Sequence, residues 1–525
     1  MNSKAASKIS VTLILGCLAW VSVPAMSQDV TTAPIVKYDA KHDRSLPLRE
    51  MAKNAPRQKS RAEMPEPEHA WKLADGPAGE DTVIQDAYLP AGKTTTVLNF
   101  DAVREDENNA QVPDTNGAVG DTEFVEITNF DYAVYDKATG KIVLKPTNTN
   151  TIFSGFGGLC EGTSPGDPVV LWDKLAKRWL VSYLNYSGND ALCIAISTTA
   201  DATGKYNRYE YDYGGTLPDY PKYAVWPDAY YGTSNLDGGV AEPCAYNRKA
   251  MLAGKKAAAI CFTPNASSLL PSDLDGSTLP PKGAPNHYVD LGNSSSQLQV
   301  FDFHVDFAHP KKSTFGAPNN ITVPTFSLAC GGFGNCVPQP SPGETVEGLG
   351  DRLMFRLAYR NFGDHEAMVA AHNVVPGKGS SAVAAMRWYE LRATPAGSKF
   401  ALYQAGTFQD KSTSLWMGSI AMDKVGDIAL GMSASSTAKD PSVWYTGRVP
   451  GDAKGKMETP QIAIRGSAVE IGDSARWGDY SSMSIDPSDD CTFWYSQMYY
   501  NKKFGGKSSG DWDTRILAFK FNRCK

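Results

Sequence analysis

Asp167-Pro-Val-Val-Leu-Trp-Asp-Lys-Leu-Ala-Lys-Arg-Trp-Leu-Val-Ser182 decides how the rest of the chain is read. A short β-branched run leads into an Asp-Lys turn, and a second apolar run follows. That is strand, tight turn, strand. The same unit recurs at residues 117–128, 222–233, 351–359, 416–430 and 478–494. Successive starts lie on the order of 50–65 residues apart, a blade-sized period for radial β repeats. One gap, from Lys222 to Asp351, is about twice as long and holds either a degenerate blade or an insertion. A four-stranded sheet cannot cover both of its own apolar faces, so such units stack around an axis. The expectation is therefore an all-β chain: a single, disulfide-stapled β-propeller of six blades, seven if the gap holds one. Two stacked β-sandwiches are the competing arrangement. The last strand, Thr514-Arg-Ile-Leu-Ala-Phe-Lys-Phe521, is a candidate for ring closure. It could lie beside the strand holding Cys491 or complete a blade begun near residues 96–100.

The N-terminus sets the compartment. Lys4 and Lys8 precede an apolar run from Ile9 to Val23, and Ala25-Met26-Ser27 supplies a small-x-small cleavage site. This is a signal peptide over 1–27, too short to be read as a membrane span. The rival is lipid anchoring at Cys17, but the residues that follow it are still apolar. Residues 28–95 are polar and Pro-rich and cannot bury enough apolar area to offset ordering entropy. They are expected as a flexible leader, or at most an arm lying on the body, with the propeller domain over 96–525. Export to the periplasm or beyond agrees with the cysteines. Of nine, eight remain after Cys17, in close pairs: Cys160 and Cys193, Cys244 and Cys261, Cys330 and Cys336, Cys491 and Cys524. Sequential pairing would staple one hairpin or blade each.

A net charge of -6, with no basic cluster, disfavours nucleic acid as a partner. No later segment is long and apolar enough for a membrane span. The expected partner is an extracellular glycan or protein, met by a monomer.

At residues 112–120, 166–170, 349–366, 416–423 and 476–483 the chain resembles a group of secreted bacterial β-propeller proteins of largely unassigned function. The similarity covers roughly residues 97–525, on several blade-like motifs. Gly478-Asp-Tyr480 with the following Asp486 turn also resembles the last blade of sialidase-like propellers with BNR (Asp-box) repeats. The Asp-box is only approximated, by Ser484-Ile-Asp486 running on to Trp494. No arginine triad or Tyr-Glu nucleophile pair can be placed, so the resemblance implies fold rather than reaction.

In a propeller the loops entering the innermost strands gather at one mouth of the axis. That rule makes Asp114, Asn116, Asp167, Tyr220, Lys222, Asp351, Arg352, Trp416, Arg476, Trp477 and Asp479 the candidate ligand-binding set. Three readings compete for the acids. Asp in a turn caps its own backbone. A Ca²⁺ site would want six to eight hard oxygens, though no DxDxDG loop is present. A sugar site would use Trp and Tyr for stacking and Asp and Arg for hydrogen bonds. A glycosidase would need one protonated and one ionised carboxyl, for which Asp167 with Asp479, or Asp364 with Glu366, are candidates. Alternation along a strand would set His365 opposite its neighbours, against a compact Asp364-His365-Glu366 triad. Trp172, Trp179, Trp226, Trp388, Trp494 and Tyr495 are expected in the core, and Trp416 and Trp477 facing ligand. No certain cofactor is implied.

Overall fold

The computed structural model describes residues 33–53, 55, 80–105, 112–162, 165–376, 383–471, 475–502 and 511–525. The expected signal peptide, with Cys17, lies outside the described residues.

The described chain is all-β and propeller-like. Seven antiparallel modules follow one another, each beginning with an inner strand: Asn116–Val119, Pro165–Asp173, Pro218–Val225, Leu270–Asp275, Met354–Asn361, Ser414–Met422 and Ser482–Ile485. In each, the next strands of the chain add outwards. The fourth and fifth modules form one continuous sheet, because Leu270–Asp275 pairs in parallel with Met354–Asn361. This fourth module occupies the long gap in the sequence period, so the gap holds both a sheet and an excursion that carries Cys330 and Cys336. Its inner strand, Leu-Pro-Ser-Asp-Leu-Asp, has too few β-branched residues to announce itself.

Each inner strand lies against that of the next module, and the seventh lies against the first. Side chains stitch several of these contacts. Asn116 Oδ1 accepts from Val170 N at 3.0 Å, and Ser482 Oγ accepts from Gly117 N at 2.7 Å. Ser419 Oγ accepts from Met483 N at 3.0 Å. Asn116 thus braces the wall of the ring.

The last module completes both closure alternatives at once. Asp511–Phe521 pairs on one side with Thr492–Asn501, the strand that follows Cys491, and on the other with Thr94–Arg104 from the front of the chain. The outermost strand thus comes from one end of the described chain and its neighbour from the other.

The described part of residues 28–95 takes the arm arrangement. Ile35–Tyr38 adds to the edge of the third module and Lys41–Arg44 to the edge of the second. Leu48, in the short helix that follows, is fully buried. Backbone pairing, which needs no apolar sequence, holds this polar segment down, and composition alone could not register it.

The apolar core lies between neighbouring modules rather than at one centre. One cluster joins the first and second modules through Val125, Ile127, Trp179 and Val181. Another joins the second and third through Leu192, Tyr209, Tyr223 and Tyr246. Trp179, Trp226, Trp388, Trp494 and Tyr495 are buried as expected, and Trp172 is half-buried. Each fully buried large side chain contributes roughly 1.5–3 kcal/mol by burial.

The four disulfides pair sequentially: Cys160–Cys193, Cys244–Cys261, Cys330–Cys336 and Cys491–Cys524. Cys244 and Cys261 sit opposite each other on adjacent strands. Cys491–Cys524 ties the start of one strand in the last module to the chain beyond its neighbour. Four bridges suit an oxidising compartment. No helix among the described residues is long and apolar enough to cross a membrane.

Candidate functional site

Residues that lead into several of the inner strands meet at one end of the sheets. Asp114 and Asp167 take left-handed backbone conformations, with φ of 43° and 49°. Asp tolerates this region better than most residues. Tyr220 does the same at φ 53°, where a bulky aromatic is an outlier held by its surroundings. Gly478 lets the seventh module come close to the first: a Cβ there would lie 3.3 Å from Asp114 N.

Hydrogen bonds link these turns across modules. Asp114 Oδ1 accepts from Asp479 N, and its Oδ2 from Asn129 Nδ2, both at 2.8 Å. Asn129 Oδ1 accepts from Asp167 N at 3.0 Å. Asp167 Oδ2 accepts from Tyr220 N at 2.9 Å. The carboxylates therefore cap a neighbouring module's backbone rather than their own turn.

Three cations lie among them. Lys222 Nζ sits 3.4 Å from the Tyr220 ring centre and 4.0 Å from that of Tyr480. Arg352 lies 4.5 Å from the Tyr220 ring and forks onto Asp351 through Nε at 2.9 Å. Arg476 bridges Glu347 at 2.9 Å and Asp479 at 3.0 Å. Of the acids, Asp114, Asp479 and Glu347 are buried, while Asp167, Asp219 and Asp351 are half-buried. Six carboxyls thus share three cations.

That imbalance sets the protonation. Burial, with Asp479 and Asp167 nearby, pushes the Asp114 carboxyl up to about 8. Burial and the Asp167 charge raise Asp219 to about 7, against the pull of Arg352. Burial raises Glu347 to about 8 in spite of Arg476. Lys222 is lowered by burial to about 8, although the charges of Asp167, Asp479 and Asp114 favour its ammonium form. Asp219 Oδ2 is buried and has no hydrogen-bond partner among the described residues. A carboxyl oxygen left without a donor is costly unless something else supplies one.

The structure gathers Asp114, Asp167, Tyr220, Lys222, Asp351, Arg352, Arg476 and Asp479 at this mouth and adds Asp219, Glu347 and Asn129. Asp219 and Glu347 were accessible to the same rule. Asp219 immediately precedes Tyr220, and Glu347 stands four residues before Asp351.

Two expectations are corrected. Trp416 and Trp477 do not face a ligand. Both are fully buried, with ring centres 5.1 Å apart, and Trp477 also packs on Tyr500 at 5.5 Å. Side-on packing between modules removes more apolar surface from water than a place at a polar mouth would. Asp364 and Glu366 do not form a pair. The Asp364 side chain is 83% exposed, whereas Glu366 is buried, accepting from Tyr359 OH and Gly397 N. Asp364 lies in the turn before the strand Glu366–Val374, so its side chain projects to solvent while that of Glu366 is carried inward by the sheet.

A Ca²⁺ site gains no support from geometry. Among the described residues, the group of three candidate ligands whose atoms lie within 4.8 Å of one another is Glu242, Cys244 and Cys261. Its two sulfurs are bonded to each other and are not ligands.

No family model matches the sequence, and no curated protein matches it. Among solved structures, the WD40 domain of SCAP from fission yeast is 10% identical, with 75% of this chain and 81% of that one covered at a TM-score of 0.32. An α-L-arabinofuranosidase of Fusarium graminearum in complex with arabinobiose is 10% identical, with 81% and 98% covered at 0.35. An exo-β-1,3-galactanase from Clostridium thermocellum is 10% identical, with 82% and 100% covered at 0.31. At these scores the likenesses carry no argument about site or reaction.

Proposed function

We propose that the chain is a single seven-bladed propeller, exported and monomeric, that binds an extracellular glycan at its leading mouth. The inner-strand contacts that run from the first module to the seventh and back support the single ring. One observation carries the ligand. Six carboxyls, Asp219 among them, converge at this mouth on Lys222, Arg352 and Arg476. Carboxylates only accept hydrogen bonds, and the hydroxyls of a sugar are dense donors. Lys222 and Arg352, stacked on Tyr220, limit the charge so that neutral hydroxyls suffice. A glycan array with Asp219→Asn as the comparison tests this. Binding that weakens about tenfold or more in the variant supports it. A wild-type protein that binds no glycan, or a variant that binds as well, sinks it.

Asp219 also favours a second reading, a glycoside-active enzyme at the same mouth. A carboxyl near pH 7 beside Asp167 is suited to donate a proton while an ionised neighbour acts as base or nucleophile. Release of reducing sugar that disappears in both Asp219→Asn and Asp167→Asn would establish it. Binding without turnover would leave the first reading alone.

A further inference from the structure

A cleft of about 430 Å³ lies between the fourth and fifth modules, and no residue of the acidic mouth lines it. Its volume is in the range of small-molecule sites. Its floor is built from polar groups that are held in place. His287 is 7% exposed, and its Nδ1 lies 2.7 Å from Asp302 Oδ1. Burial would raise the Asp302 carboxyl, but the hydrogen bond and charge of His287 hold it below the usual carboxylate range. Asp302 is therefore ionised and accepts, so His287 Nδ1 donates and Nε2 is the ring atom left to meet a ligand.

The imidazole cannot swing away. The Phe400 ring meets it edge-on at 4.8 Å, Tyr359 stacks at 6.3 Å, and Trp226 closes a third side at 6.4 Å. Glu366, which also lines the cleft, receives Tyr359 OH on one oxygen and Gly397 N on the other. Each of its oxygens keeps a second lone pair. Phe400 supplies an apolar wall, and Lys282 and Lys399 stand exposed on the lining. Lys399 is close enough to act on the charge of Asp302.

We propose that this cleft is a second ligand site, separate from the acidic mouth, for a small hydroxylated carboxylate of the sugar-acid class. The fixed polar groups of His287, Asp302 and Glu366 take hydroxyls, Phe400 takes the ring face, and Lys282 and Lys399 take the carboxylate. A neutral sugar leaves the two ammonium groups unanswered. Inorganic phosphate answers them but brings no ring.

Titration calorimetry of the full chain with D-glucuronate, D-glucose and inorganic phosphate tests the site. The expected result is glucuronate binding at least tenfold tighter than either of the others. The double variant Lys282→Met, Lys399→Met should bring glucuronate down to the level of glucose. Both lysines are exposed, so the fold should survive. Ser398→Trp, which adds bulk at another exposed lining position, should remove binding of both sugars without moving the melting temperature. Absence of glucuronate binding at millimolar concentrations overturns the proposal. So does phosphate binding as tightly as glucuronate, or a lysine variant that binds like the wild type.

Discussion

The two ends of the inner strands carry charge in different balance. At the trailing end, where the inner strands finish, acids and bases are matched. Arg356 holds Asp273 through Nε at 2.9 Å and Asp275 through a terminal nitrogen. Arg360 forks onto Asp490 at 2.7 and 2.6 Å, and Arg248 onto Asp173 at 2.7 and 3.0 Å. Lys174 lies 4.0 Å from Asp275. Four carboxylates meet four cations in these contacts, although burial and the Asp427 charge raise Asp423, just beyond the sixth inner strand, to about 8. At the leading end six carboxyls meet three cations, and the excess is met by raised carboxyl pKa values. A matched network is what a purely structural closure needs. An unmatched one is a standing cost, and buried groups with strongly perturbed protonation mark functional sites more often than structural ones.

The largest test of this contrast is Arg356→Met. It strands two buried carboxylates and should cost about 3–5 kcal/mol in denaturant unfolding. Lys222→Met at the leading end should cost less than half as much, because the acids around it can take up protons instead. Equal losses would break the contrast.

Next in size is the clasp of the last module. Cys491→Ala with Cys524→Ala should lower stability by about 2–4 kcal/mol, the usual value of a bridge. An unchanged melting curve would refute the stapling argument.

Third comes pH. Burial raises Asp114, Asp219 and Glu347 to about 8, 7 and 8 in the folded state, from ordinary values of 3.8, 3.8 and 4.5. Below about pH 4 these groups are protonated in both states. Above it the unfolded chain releases protons that the folded chain retains, so stability falls from about pH 4 to about pH 8. The slope is about 1.4 kcal/mol per pH unit for each extra bound proton. Lys222, lowered to about 8 from 10.5, acts in the opposite sense above that range, and stability should recover. Melting temperatures across this range should show the decline, and Asp219→Asn should make it shallower. A flat profile would mean that the mouth is not as unmatched as described.

The smallest effect is Lys177→Ala, which removes an exposed 2.7 Å pair with Asp121 at the trailing rim. It should change stability by about 1 kcal/mol or less and vanish in high salt. A larger, salt-resistant loss would show that the trailing network extends further than its buried pairs.

Much of the mouth was legible from position alone. Asp114, Asp167, Lys222, Arg352, Arg476 and Asp479 each stand at the start of an inner strand, and the strands could be read from alternation and turn residues. The rule failed where a side chain's direction mattered. It placed Trp416 and Trp477 at the mouth, although both rings turn into the core and pack on each other. It grouped Asp364 with Glu366, although one faces water and the other a buried tyrosine. The rule could have included Asp219 and Glu347, which stand one and four residues before positions it named, but their burial among like charges comes only from packing.

By itself the sequence determined the strand-turn-strand modules and their period, and it pointed to sequential cysteine pairing, which the structure contains. Those follow from alternation, turn chemistry and proximity along the chain, which are local. Only the tertiary structure decided that the polar front segment adds edge strands, that the long gap folds as a further module, and which carboxyls go unmatched. Those outcomes depend on burial and on partners brought from hundreds of residues away, as when Asp114 meets Asp479, and no window of sequence contains them.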